Sequence, residues 1–173
     1  MKTRLSLLIA AMLAAGCASM GEAPGPSAAA RLEPTKGNST AGNVKFEQRG
    51  AKVLVSGNIT GLKPDSEHGF HVHEKGDCSS GDGMSAGGHF NPLAKGHGHH
   101  GGDMRHVGDM PNLRTDSYGA VSFSFETTGM TIGTGATDIV GKGLIVHRDP
   151  DDYKSQPAGN AGPRLACAVI AKS

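Results

Sequence analysis

Apolar residues in this chain recur at every second position and hardly anywhere at every third or fourth. Val44 and Phe46, then Val53, Val55, Gly57 and Ile59, alternate with polar neighbours. Phe70 and Val72 alternate with His71 and His73, and Val121, Phe123 and Phe125 with Ser122, Ser124 and Glu126. Leu144 and Val146 stand around Ile145 and His147, and Leu165 to Ile170 makes a last such run. This is the period of half-buried strands. No stretch of a dozen residues has convincing helical spacing. Gly61, Lys63-Pro64-Asp65 and Tyr118-Gly119 separate the runs. Short strands punctuated in this way pack as an antiparallel sandwich or barrel. Two stretches escape the pattern: Glu74 to Asp116 and Arg148 to Arg164 are long, Gly-rich and aperiodic. Loops of that length in a compact domain usually carry function.

Ahead of the strands lies a different kind of sequence. Lys2 and Arg4 precede a run from Leu5 to Ala15 that is apolar apart from Ser6. The run is too short to span a bilayer and has the build of a signal-peptide core. It ends in Leu13-Ala14-Ala15-Gly16-Cys17, which resembles a bacterial lipoprotein cleavage site with Cys17 as the lipidated first residue. The expected organisation is a signal peptide over 1–16, a lipidated Cys and flexible tether over 17–38, and one domain over 39–173. The tether reading rests on small residues and three Pro without apolar period between Ala18 and Lys36. Periplasm or cell envelope is the expected location, with Ala18 and Ser19 after the Cys pointing weakly to the outer membrane. Membrane contact would come only through the lipid. Cleavage removes Lys2 and Arg4 and no acid, turning the formal charge of +1 into −1. A balance so near neutrality argues against a nucleic-acid partner. With Cys17 lipidated, Cys78 and Cys167 remain, as one bridge in an oxidising compartment or as two free thiols.

Nine His in 173 residues is the loud feature of the composition. On a strand, His71 and His73 project from one face about 7 Å apart, while Phe70 and Val72 point into the core. A second group, His89, His97, His106 and Asp109, offers three imidazoles and a carboxylate from a Gly-rich loop. That donor set suits tetrahedral Zn²⁺. His99 and His100 read as an unspecific His-rich tract, and His147 sits on a strand just before the second long loop.

Four segments then carry a resemblance: Gly69-Phe70-His71-Val72-His73-Glu74, Gly88-His89-Phe90-Asn91-Pro92, Arg105-His106-Val107-Gly108-Asp109 and Gly159-Asn160-Ala161-Gly162-Pro163-Arg164-Leu165-Ala166-Cys167. In this order, over about residues 41–172, the chain resembles the copper–zinc superoxide dismutase family in its bacterial form. The resemblance implies an all-β, eight-stranded antiparallel Greek-key sandwich or barrel with two long functional loops. It implies copper on His71, His73, His89 and His147, and zinc on His89, His97, His106 and Asp109. His89 would be the shared bridge and would pass a proton during catalysis. Arg164 would dock the superoxide anion, Asp151 would link His71 to His97 behind the metals, and Cys78 would pair with Cys167. One Cu and one Zn per subunit, superoxide as substrate, and either a monomer or a homodimer follow from the same resemblance.

Lys142, Arg148 and Lys154 are the cations that could steer an anion inward. His68, three residues before His71, falls on the opposite face of the strand and reads as a structural, hydrogen-bonded His. The rival function is a non-catalytic copper or zinc carrier lipoprotein on the same fold. It fits less well, because the open copper set and Arg164 are both complete.

Overall fold

The computed structural model describes residues 25–173. The leader over 1–16, Cys17 and the start of the tether lie outside the described residues. Ten strands follow one another: β1 (Ser27–Pro34), β2 (Ala41–Arg49), β3 (Lys52–Thr60), β4 (Glu67–His68), β5 (Phe70–His73), β6 (Leu113–Arg114), β7 (Val121–Thr128), β8 (Gly143–His147), β9 (Arg164–Val169) and β10 (Ala171–Lys172). One 3-10 turn, Met84–Ala86, is the helical element among the described residues.

Eight strands form one curled antiparallel sheet in the order β5-β8-β9-β1-β2-β3-β7, with β10 also paired to β1. β4 and β6 make a separate two-stranded ribbon. The alternation read from the sequence is the alternation of burial. Val44, Phe46, Val53, Val55, Ile59, Phe70, Val72, Leu144, Val146 and Ile170 are sealed in the core, and their polar neighbours face out or line the site. Phe70 meets Phe123 edge to face with ring centroids 5.5 Å apart.

One expectation needs correcting. Ser27–Pro34, assigned above to a flexible tether, is β1, bonded to β2 along most of its length and to β9 through Glu33 and Pro34. Ala28, Ala30 and Leu32 alternate inward and are almost wholly buried. Alanine methyls give little hydrophobic signal in a sequence, yet they pack well where the sheet curls closely. β1 joins the two halves of the sheet, so the folded unit begins before residue 39.

The two long aperiodic stretches become loops over the same end of the sheet. The first is stitched to β5 by backbone bonds: Val72 N–H to Gly108 O (3.0 Å), Phe90 N–H to Val72 O (2.8 Å) and Glu74 N–H to Gly88 O (2.9 Å). Gly108 permits this approach, since a Cβ there would collide with the Val72 carbonyl oxygen. The Cys78–Cys167 disulfide, across 89 residues, ties the start of that loop to β9.

Candidate metal centre

β5 and β8 are neighbours, with Phe70 opposite Val146 and His73 opposite Gly143. Their pairing brings His71, His73 and His147 to one face, where His89 joins them from the stitched loop. The four rings offer one nitrogen each, all within 4.8 Å of one another. His89, His97, His106 and Asp109 form a second group by the same measure. His89 alone belongs to both.

The protons on these rings can be placed from their partners. His73 Nδ1 donates to Gly87 O (2.9 Å) and His147 Nδ1 to Gly162 O (3.1 Å). Carbonyls only accept, so both Nε2 atoms are bare lone pairs in the neutral rings. They face each other at 3.3 Å. Two acceptors so close are stable only with a cation between them. His71 gives Nε2–H to Asp151 Oδ2 (2.9 Å), and its Nδ1 is buried without a partner. His89 Nε2 and His106 Nδ1 are likewise buried and unpartnered. Native proteins rarely leave buried polar atoms unmet. The unmet nitrogens of His71, His89 and His106 converge within the two groups, so the residues present fit a pair of metal ions.

In the second group Asp109 is the hub. Its Oδ1 faces His89 Nδ1 at 2.9 Å, His97 Nδ1 at 3.1 Å and His106 Nδ1 at 3.5 Å. Its Oδ2 accepts the backbone N–H groups of His106 (2.9 Å) and Gly98 (3.1 Å). Three imidazole nitrogens and one carboxylate oxygen match the closed tetrahedral set of a zinc site. Burial alone would raise the Asp109 pKa, but the close imidazoles of His106, His89 and His97 hold it well below the usual carboxylate range. For His97, burial opposes the charge, yet bonds to Asp109 and Asp151 outweigh it and lift the pKa to about 9. Burial lowers His89 to about 4. Burial and nearby imidazoles hold His73 and His147 well below the ordinary range, so the first group stays neutral and ready to ligate.

Asp151 stands behind both groups. Its Oδ1 accepts from His97 Nε2 (2.8 Å) and from Tyr153 N–H (2.7 Å), while Oδ2 takes His71. Gly159 lies against this carboxylate with φ of 63°; a Cβ there would strike Asp151 Oδ1 and stand 2.7 Å from His97 Nε2. Arg164 is half-buried at the start of β9. Its guanidinium donates to Gly83 O and to Gly87 O (2.6 Å). It shares a cavity of about 250 Å³ with His73, His89 and His147. The disulfide, three residues along at Cys167, fixes this arginine's strand against the loop whose carbonyls it binds.

Other expectations meet a more varied outcome. His99 and His100 join neither group; their rings lie 4.1 Å apart, and His99 packs on Tyr153 at 4.8 Å. His68 sits on β4 and not on β5, because Gly69 separates the two strands. It gives Nδ1–H to His147 O (2.9 Å), but its Nε2 is buried without a partner, so it is only half satisfied. Of the steering candidates, Arg148 is bound to Asp149 (2.9 Å) and Lys142 lies over the Phe90 ring, 4.9 Å from its centroid. Lys75 lines the same outer hollow as Lys142 and His89.

Sequence reasoning missed the clamps between the loops. Asn112 Oδ1 accepts Asp151 N–H (2.9 Å) and its Nδ2 donates to Asp151 O (2.9 Å). Gln156 pairs with the His97 backbone in the same double fashion, at 2.8 and 2.9 Å. These contacts cross 39 and 59 residues. Nothing local announces them.

Residues 40–170 match the family model for copper/zinc superoxide dismutase. Copper–zinc superoxide dismutase 2 of Aquifex aeolicus is 42% identical over 133 residues, covering 75% of this chain and 78% of that protein. The copper–zinc superoxide dismutase of Saccharomyces cerevisiae is 44% identical over 137 residues, covering 75% and 88%. Among solved structures, the clock protein EA4 superposes with a TM-score of 0.78 at 41% identity, over 87% of this chain and 97% of that one. With two imidazole groups joined by one ring and a family match over residues 40–170, this chain belongs to the copper/zinc superoxide dismutase family.

Proposed function

We propose that the protein converts two superoxide anions and two protons into dioxygen and hydrogen peroxide at a Cu–Zn pair bridged by His89. The single observation that carries this reading is His89 itself: Nδ1 lies against Asp109 in one group, while Nε2 is buried and unpartnered in the other. His71, His73, His89 and His147 hold copper; His89, His97, His106 and Asp109 hold zinc.

Copper supplies the one-electron acceptance and return that dismutation needs, a role that tetragonal imidazole ligation suits. The chain does the rest. Arg164 draws the anion into the cavity, and its bonds to two carbonyls keep the guanidinium aimed there without reorganisation. His73 and His147 stay neutral because their other nitrogens are committed to carbonyls. His89 Nε2 is the atom placed to hold a proton and hand it to the reduced anion. Asp109, on the far side of that ring, holds it in position throughout. The bulk of the domain is near neutral, so attraction of superoxide is local to the cavity.

Around this chemistry we place an exported protein. The apolar leader, Cys17 at its end and the disulfide-forming Cys78 and Cys167 favour an oxidising compartment. A lipid on Cys17 would hold the enzyme at the envelope, as a guard against superoxide arriving there; β1 then starts at Ser27, ten residues after Cys17.

 Two measurements test the proposal. Copper and zinc are quantified in the purified protein, and superoxide removal is assayed with and without a copper chelator. Removal that persists unchanged after copper is stripped refutes the copper-centred reading. Mass analysis of the N-terminal peptide tests the anchor, and an unmodified Cys17 in the mature protein refutes it.

A further inference from the structure

Met84 is a large apolar side chain left 61% exposed, and it lines the cavity that also holds His73, His89, His147 and Arg164. Its place there is built. The Met84 N–H donates to Asp82 Oδ1 (2.9 Å), and its carbonyl accepts the Gly87 N–H (3.1 Å). The residues flanking the turn, Gly83 and Gly87, are the two whose carbonyls bind Arg164. The turn is therefore fastened to the same guanidinium that forms one wall of the cavity.

Among the described residues, no other sulfur ligand lines this space. Cys78 and Cys167 are joined to each other. Met110 and Met130 are sealed in the core, and Met104, 69% exposed, lies elsewhere. A thioether is neutral, soft and polarizable; it binds Cu(I) well and Cu(II) or Zn²⁺ poorly. An arriving cation also meets the fixed positive charge of Arg164, which opposes entry. A neutral donor beside that charge gives Cu(I) a contact that needs no further cation-attracting carboxylate.

We propose that the Met84 thioether is the entry ligand for Cu(I), taking it from its donor and passing it inward to Nε2 of His73 and His147. This rests on the copper assignment made above. The sulfur forms one bond to the ion as the donor gives one up, and the imidazole nitrogens then replace the sulfur. No electron moves.

The test uses the full-length protein, loaded with zinc and free of copper, without oxygen. Cu(I) is supplied as its coloured bicinchoninate chelate, and loss of colour gives the rate of transfer. Met84→Leu keeps the volume of the side chain and removes the sulfur. It is expected to slow Cu(I) transfer about tenfold, the factor that corresponds to ~1.4 kcal/mol, with the final copper content unchanged. Met104→Leu, equally exposed but outside the cavity, is expected to transfer at the wild-type rate. Cu(II) loading, followed by its visible absorption, is expected to be the same in all three proteins. A Met84→Leu rate for Cu(I) equal to wild type overturns the proposal, and so does an equal slowing of Cu(I) and Cu(II), which would mean only a changed channel. If the wild-type protein takes up copper in neither oxidation state, the copper assignment itself falls.

Discussion

Replacing Asp151 by Asn changes one atom of a fully buried side chain and should weaken both metal groups. Asp151 accepts three hydrogen bonds, from His71 Nε2 (2.9 Å), His97 Nε2 (2.8 Å) and the Tyr153 N–H (2.7 Å). An amide has one acceptor oxygen and one donor nitrogen. If its oxygen keeps His97 and Tyr153, its NH₂ faces His71 Nε2. That ring must then move its proton to Nδ1, the buried atom otherwise free to ligate. If the amide turns over, His97 suffers the same exchange, and its proton lands on the nitrogen facing Asp109. Either way one ligand is blocked, and the negative charge behind both rings is gone. Loss of such an outer partner typically costs about 10- to 100-fold in metal affinity, or ~1.4–2.8 kcal/mol. We expect a loss of that size, read by competition with a coloured chelator, for copper and zinc separately. The backbone bonds from Asn112 to residue 151 survive the change, so the loop should keep its place. Affinities for both metals equal to those of the wild type would refute the argument.

Three further outcomes follow from the same geometry. Reducing or replacing the Cys78–Cys167 bridge opens a loop of 89 residues; chain entropy alone puts the loss at about 4–5 kcal/mol, measurable by denaturant unfolding of Cys78→Ser. Zinc uptake by the metal-free protein near pH 8 should expel a proton from His97, which is held protonated up to about 9 by Asp109 and Asp151. The release should fade as pH rises through that value, and calorimetry in buffers of different ionisation enthalpy reads it; uptake at pH 8 without proton release contradicts the assignment. Arg164→Ala should lower the rate of superoxide removal and its sensitivity to salt while copper stays bound, since its guanidinium binds carbonyls and touches no metal group. Loss of copper in that variant would show that the arginine supports the site and does not dock the anion.

The sheet was legible because its strands alternate strongly: Phe70 and Val72 bury while His71 and His73 share the other face, and two imidazoles at that spacing mark a site. The second group was legible from donor chemistry, three imidazoles and one carboxylate on a Gly-rich loop. β1 was not, because its inward residues are chiefly alanines and its outward ones resemble a tether. Nor were the hydrogen bonds by which Asn112 and Gln156 hold the two loops together. Asn and Gln occur in any polar loop, and only folding brings residues 112 and 151, or 97 and 156, face to face. Met84 escaped for a related reason: a lone methionine in a Gly-rich segment carries no period, and its meaning comes from the cavity it borders. His68 shows the limit of strand periodicity, since Gly69 breaks the strand and leaves that imidazole on a different ribbon.

The central claim is that one imidazole, His89, serves both groups. Filling both with Cu(II) and recording the electron paramagnetic resonance spectrum at low temperature tests it most directly. Spins joined through a shared ring pair with each other, so the account predicts that most of the signal disappears and that His89→Ala restores it. Two independent Cu(II) signals at full intensity in the wild-type protein would contradict it.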